Sequence, residues 1–153
     1  MTSTAHDTHD PIPDITTALD PFGSADQLRD RWRALLGPLG FDDQVLWFAF
    51  VDLHGRIIPA LNQLPLPSAP NGALVDQVME RLADIIDAQS SVRVAFLITR
   101  PGTDATTPAD REWSRLLAAA AVRVGVDIEP VFRANATDVV LVPAQPVSHR
   151  AVA

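Results

Sequence analysis

Behind Ser24 the apolar residues Leu28, Trp32, Leu35 and Leu36 fall on one side of a helical period, and Gly37-Pro38 breaks it. Ser24 suits an N-cap and Gln27 stands three positions on, residue types whose side chains satisfy the amides a first helical turn leaves free. A helix over 24–36 is predicted. From Gln44 to Asp52 the pattern becomes a β-rich run, Leu53-His54-Gly55 supplies a tight turn, and residues 56–64 continue as the second strand of a hairpin. The Pro-rich piece 65–72 reads as a loop. Over 73–88 Leu74, Val75, Val78, Leu82, Ile85 and Ile86 restore the helical spacing. Val92 to Thr99 is apolar almost throughout, as a central strand covered on both faces would be. Thr107 as N-cap and Pro108 in the first turn open a third helix, with Asp110 and Glu112 near the positive end of its dipole. It runs to about Arg123, and Gly125 closes it. Residues 127–134 and 138–142 are two short strands joined through Asn135-Ala136-Thr137, a second hairpin.

The order α-β-β-α-β-α-β-β predicts an α/β fold of the α+β kind, a mixed sheet flanked by helices. With 153 residues, of which 47% are hydrophobic, the chain suits one domain with a single core. Residues 1–20 show almost no apolar periodicity and cannot bury enough surface to offset chain entropy, so a disordered tail is expected there. The domain is expected over 21–143, followed by a second disordered tail over 144–153. His6, Asp7, His9 and Asp10 have ligand-type side chains, but nothing rigid holds them, and they read as ordinary tail content.

Composition narrows the partners. There is no cysteine, so disulfides and thiolate metal sites are excluded, which fits a reducing cytosol. Apolar runs such as Val45 to Val51 and Leu116 to Val122 are too short to span a bilayer, and the N-terminus lacks a basic start followed by an apolar stretch. A cytoplasmic protein without membrane association is expected. The net charge of −7 and the absence of lysine speak against nucleic acid, whose phosphates are neutralised by Lys and Arg. The arginines are scattered except for Arg29, Arg31 and Arg33, and Asp26 and Asp30 interleave those three, as on a solvated helix face rather than a phosphate patch.

The candidate chemistry lies in the crossing I-T-R-P-G-T-D-A-T-T-P-A-D-R, from Ile98 to Arg111. Arg100 stands at the end of the apolar strand, with Asp104, Asp110 and Arg111 near it in sequence; these four are the candidate ligand or partner residues. Arg100 could offer a fixed guanidinium to a carboxylate or phosphate, helped by amides at the following helix start. It could equally pair with Asp104 or Asp110 and staple the loop, since half-buried charges need partners in any fold. Elsewhere the chemistry is sparse. His54 sits in a tight turn that simply tolerates histidine, Ser90 and Ser91 have no nearby histidine for a dyad, and the glycines fall singly rather than in a phosphate loop. Trp47 and Phe48 must point to opposite faces of a strand, with Trp32 or Trp113 available to cover one of them; these rings are read as core or as a partner patch.

From about Ser24 to Val142 the chain resembles the RadC-like branch of the JAB/MPN domains, also called the JAMM fold. The similarity lies in L-G-F-D-D-Q-V-L-W-F-A-F-V-D-L-H-G-R-I-I after the opening helix. It continues in V-A-F-L-I-T-R-P-G-T-D-A-T-T-P-A-D-R-E-W-S-R-L-L-A-A-A-A-V-R-V-G-V-D-I, which looks like that family's strand, His-x-His-Pro loop, capped helix and Gly-ended turn. The resemblance implies a zinc ion on two His and an Asp, with a Glu on an earlier strand as general base. The His-x-His positions fall on Ile98 and Arg100, and the third ligand on Arg111, or on Glu112 if the loop holds one extra residue. The base would lie near Pro59 to Gln63, yet the chain's glutamates are Glu80, Glu112 and Glu129 alone. The expectation is a catalytically inactive JAB/MPN-like domain without metal or cofactor, a protein-interaction or regulatory module whose partner could be a second copy. The alternative is a hydrolase with other site residues, such as His54 with Asp52 around a metal, or one needing no metal.

Overall fold

A computed structural model of the chain describes residues 12–88 and 92–143. Its helices are α1 (Ala25–Leu36), α2 (Gly72–Ala88) and α3 (Pro108–Val124); its strands are β1 (Val45–Val51), β2 (Asn62–Pro65), β3 (Arg93–Thr99), β4 (Phe132–Ala134) and β5 (Val139–Leu141). The predicted order holds. Among the described residues the strands form one mixed sheet in the order β2-β1-β3-β4-β5. β1 runs antiparallel to β3 along its length, Val45 opposite Thr99 and Val51 opposite Arg93, while β3 and β4 are parallel and joined across α3. A parallel pair needs such a crossover.

Alternation along β1 and β3 sorts the core into two layers. Leu46, Val94, Phe96 and Ile98 face α2 and α3, meeting Val75, Met79, Leu82, Trp113 and Leu117. Ala49, Val51, Ala95 and Leu97 face the other way, onto Leu28 and Trp32 of α1. Trp47 and Phe48 separate to opposite faces as the strand period requires and are half-buried against the two core layers, while Trp32 and Trp113 are wholly inside.

The caps follow the sequence signals. Ser24 Oγ accepts the Gln27 amide at 3.2 Å, and Thr107 and Asp110 close a reciprocal capping box on α3. Gly125 ends α3 at φ 77°, a left-handed conformation that costs a β-carbon strain.

Three expectations are corrected. Residues 56–64 do not form one strand: Ile57 bridges Val51 and the Ile58 amide donates to Phe50 O at 2.8 Å, but the ladder then breaks and resumes in a shifted register at Asn62, opposite Phe48. Residues 127–134 are likewise interrupted: Ile128 bridges Val94, Pro130 breaks the run, and β4 begins at Phe132. The expected disordered tail over 1–20 is wrong for its last part. Ile15–Leu19 form a 3-10 helix that Asp14 caps through the Thr16 amide, and Ala18 and Phe22 are buried. The apolar spacing of Ile15, Ala18 and Leu19 is a single turn, too short to register as periodicity. His6, Asp7, His9 and Asp10 and the expected tail over 144–153 lie outside the described residues.

Candidate functional site

At the end of β3 the chain leaves the sheet through Arg100, whose amide still donates to Ala134 O of β4 at 3.0 Å. That bond fixes where the side chain starts. Arg100 Nε donates to Asp110 Oδ1 at 2.9 Å and Nη2 to Asp110 Oδ2 at 2.7 Å, a bidentate pair across the crossing. Nη2 also donates to the main-chain oxygens of Asp104 and Ala105, at 3.1 and 3.0 Å. One guanidinium thereby holds both the loop and the first turn of α3. Asp110 accepts in addition from the Thr107 amide at 2.9 Å, which completes the capping box.

The second side of the site comes from the β4–β5 hairpin. Asn135, fully buried, donates Nδ2 to Asp104 O at 2.7 Å, and its Oδ1 takes the amides of Thr137 and Asp138 at 2.9 and 3.1 Å, an Asx turn. Arg133 of β4 reaches Asp138 Oδ1 at 2.7 Å, while its Nε stands 3.7 Å from Asp110 Oδ2. The charges alternate as Asp138, Arg133, Asp110, Arg100. Arg100, Asp110 and Arg133 are 8%, 2% and 2% exposed, so this chain of opposites is what makes the burial tolerable. Burial pushes the Asp110 carboxyl upward, but the Arg100 bonds, the Thr107 amide and the charges of both arginines outweigh it and hold it below the ordinary carboxylate value. The same carboxylate holds the Arg100 guanidinium above its ordinary value, against the effect of burial.

Of the four candidate residues, three meet here. Arg100 and Asp110 join through their side chains and Asp104 through its main-chain oxygen, while Arg111 lies exposed on α3 and its guanidinium takes no part. Arg133, Asn135 and Asp138 were not foreseen. An arginine inside the apolar run Val131 to Ala134, two residues before an Asn turn, was the available signal.

Ile98 is wholly buried in the core, and between Pro59 and Gln63 the chain offers no carboxylate. Among the described residues no three His, Asp or Glu side chains gather as metal ligands would. Asp52 spends its carboxylate on the hairpin turn, accepting the His54 and Arg56 amides at 2.8 and 3.0 Å, and the Arg56 bond above all lowers its pKa. His54 stands exposed beside it.

The arginines of α1 are used structurally rather than simply solvated. Arg29 donates to Val139 O at 2.7 Å, Arg31 to Asp20 O and Pro21 O at 3.0 and 2.8 Å, and Arg33 to Gly37 O. Among the described residues no helix is long and apolar enough to cross a membrane. No protein-family model and no curated protein matches the chain.

Proposed function

We propose that this chain is a non-catalytic domain of the RadC-like JAB/MPN kind that works in the cytoplasm by binding a protein partner, without nucleic acid, metal or cofactor. The observation that carries this reading is the bidentate Arg100–Asp110 pair. It fills the end of β3, where the resemblance would put a metal ligand, with a guanidinium whose charge Asp110 balances. A guanidinium has no lone pair to give a cation, and Asp110, the one buried carboxylate among the described residues, is already committed to Arg100. The absence of nucleic acid from the proposal rests on the charge of −7 and on the α1 arginines being tied to main-chain oxygens. A hydrolase built on Asp52 and His54 has less support, since Asp52 is the acceptor that closes its own turn.

Thermal unfolding with and without zinc tests the proposal. A protein that binds a metal in its folded state gains about 2.7 kcal/mol when the metal is at about 100 times Kd. The expected result is one Tm in excess zinc and in chelator alike. A Tm that rises with zinc and falls with chelator overturns it.

A further inference from the structure

The sheet face that carries Phe48 and Phe50 is only partly roofed. Along the β2 edge a groove of about 400 Å3 opens between the sheet and α2. Phe48, Phe50 and Leu64 form its floor, and Val78, Leu82 and Ile85 its wall, with Ile85 42% exposed.

Two further features bear on what would fill it. The first is the open edge of the sheet. Leu66 N–H donates to Gln44 O at 2.9 Å, so in this register Leu64 and Asn62 turn their amide groups toward β1, and Gln63 turns its N–H and C=O away from it. Gln63 is therefore free to pair with one more strand. That strand would run about 4.8 Å outside β2, and every second side chain would stand over the groove. Pro65, the next outward residue, has no N–H, so the main-chain pairing is short and the groove must supply much of the binding.

The second is Arg81, exposed on α2. It lines the groove and, among the described residues, joins no ion pair, whereas Asn62, Gln63 and Gln77 are the other polar residues of the lining and carry no charge. A guanidinium set in an apolar and amide lining is complementary to one carboxylate. It would not draw a strongly acidic segment, because the chain as a whole carries −7. A helical occupant would satisfy the groove but leave the Gln63 amide unused.

We infer that the groove and the β2 edge bind an extended segment of a partner protein, with apolar side chains at alternate positions and a single carboxylate for Arg81. This deepens the reading of the chain as a binding module and rests on it. The segment adds as a sixth strand, its main chain meets Gln63, and its apolar residues displace water from Phe48, Leu64 and Val78.

The probe is a phage-displayed library of random linear peptides, selected on the full chain and followed by titration of synthesised winners. The variants are Arg81→Glu, which changes an exposed residue; Gln63→Pro, which removes the outward N–H and leaves the β1 ladder intact; and Val78→Glu, which puts a charge into the groove wall. Winners are expected to share alternate apolar residues and one Asp or Glu. Arg81→Glu should weaken them about three- to tenfold, and peptides with Lys in place of the acid should recover the loss. Gln63→Pro should weaken them about fivefold, and Val78→Glu should abolish binding. No enriched peptide, or peptides that bind all three variants as they bind the parent, overturns the inference. So does a loss with Val78→Glu alone, which would mean an apolar groove without the strand or the carboxylate. Cleavage of a bound peptide on adding zinc would instead overturn the non-catalytic reading and leave the groove standing; a metal-inert chain that binds no peptide loses the groove alone.

Discussion

Asp138, Arg133, Asp110 and Arg100 run in alternating sign from the rim of the β4–β5 hairpin to the end of β3, and Asp110 is the member with an arginine on each side. Replacing it by Asn leaves two buried guanidinium groups facing a neutral amide. Removing one partner of such a pair costs about 3–5 kcal/mol, a large part of the roughly 5–15 kcal/mol that holds a domain folded. The pH dependence follows from the lowered pKa of Asp110. A group depressed in the folded state stabilises fully above its unfolded value of about 3.9, and that contribution is lost as pH falls through the lower folded value. Denaturant melts of the parent and Asp110→Asn should therefore differ most above about pH 4 and converge below it. A gap that stays constant into strong acid would show that the ionised carboxylate is not what the loop depends on. At this scale the sequence was half legible. That Arg100 would pair with Asp104 or Asp110 could be read from proximity, but the choice of Asp110 depends on the capping box turning its carboxylate toward β3. Arg133 and Asn135 come from a distant hairpin, where a lone arginine in an apolar run before an Asn turn marks a buried charge but not its partner.

Among the elements, the turns carry conformations that only glycine adopts freely, and two of them differ in a way that can be measured. Gly125 at φ 77° has nothing within 4 Å of where a β-carbon would stand, so Gly125→Ala costs only the left-handed strain, about 1–2 kcal/mol. Gly55 has nearly the same φ, 78°, but its β-carbon would come within 2.9 Å of Phe22 O, a main-chain atom in the segment packed on α1. Gly55→Ala should then lower stability clearly more than Gly125→Ala in equilibrium denaturation, with equal losses refuting the close approach. The elements themselves were legible because caps, period and breakers agreed: Ser24, Thr107-Pro108 and Gly125 set ends where the structure has them. The strands were overextended wherever an apolar pattern ran through a proline. Pro59 and Pro130 stand where the ladders to β1 and β3 break and change register, and an apolar pattern read along the chain does not show such a break.

For the molecule as a whole, the sheet order was not written in any one stretch. β3 lies in the middle because both of its faces are apolar, and α3 must cross to bring β4 parallel beside it, so the end of β3, the start of α3 and the β4–β5 turn converge. That convergence is why a loop read as a candidate site is also the place where distant charges meet. The first helix closes the opposite face, and the 3-10 turn at Ile15–Leu19 packs beside it, with Arg31 tying the two together. On the proposed reading this loop is closed by its own ion pair and takes up no metal. Elemental analysis of untagged protein, dialysed without chelator, measures it most directly. Zinc and other transition metals are expected far below one ion per chain, with an intact thermal transition; near-stoichiometric zinc would contradict a loop closed by Arg100 and Asp110 alone.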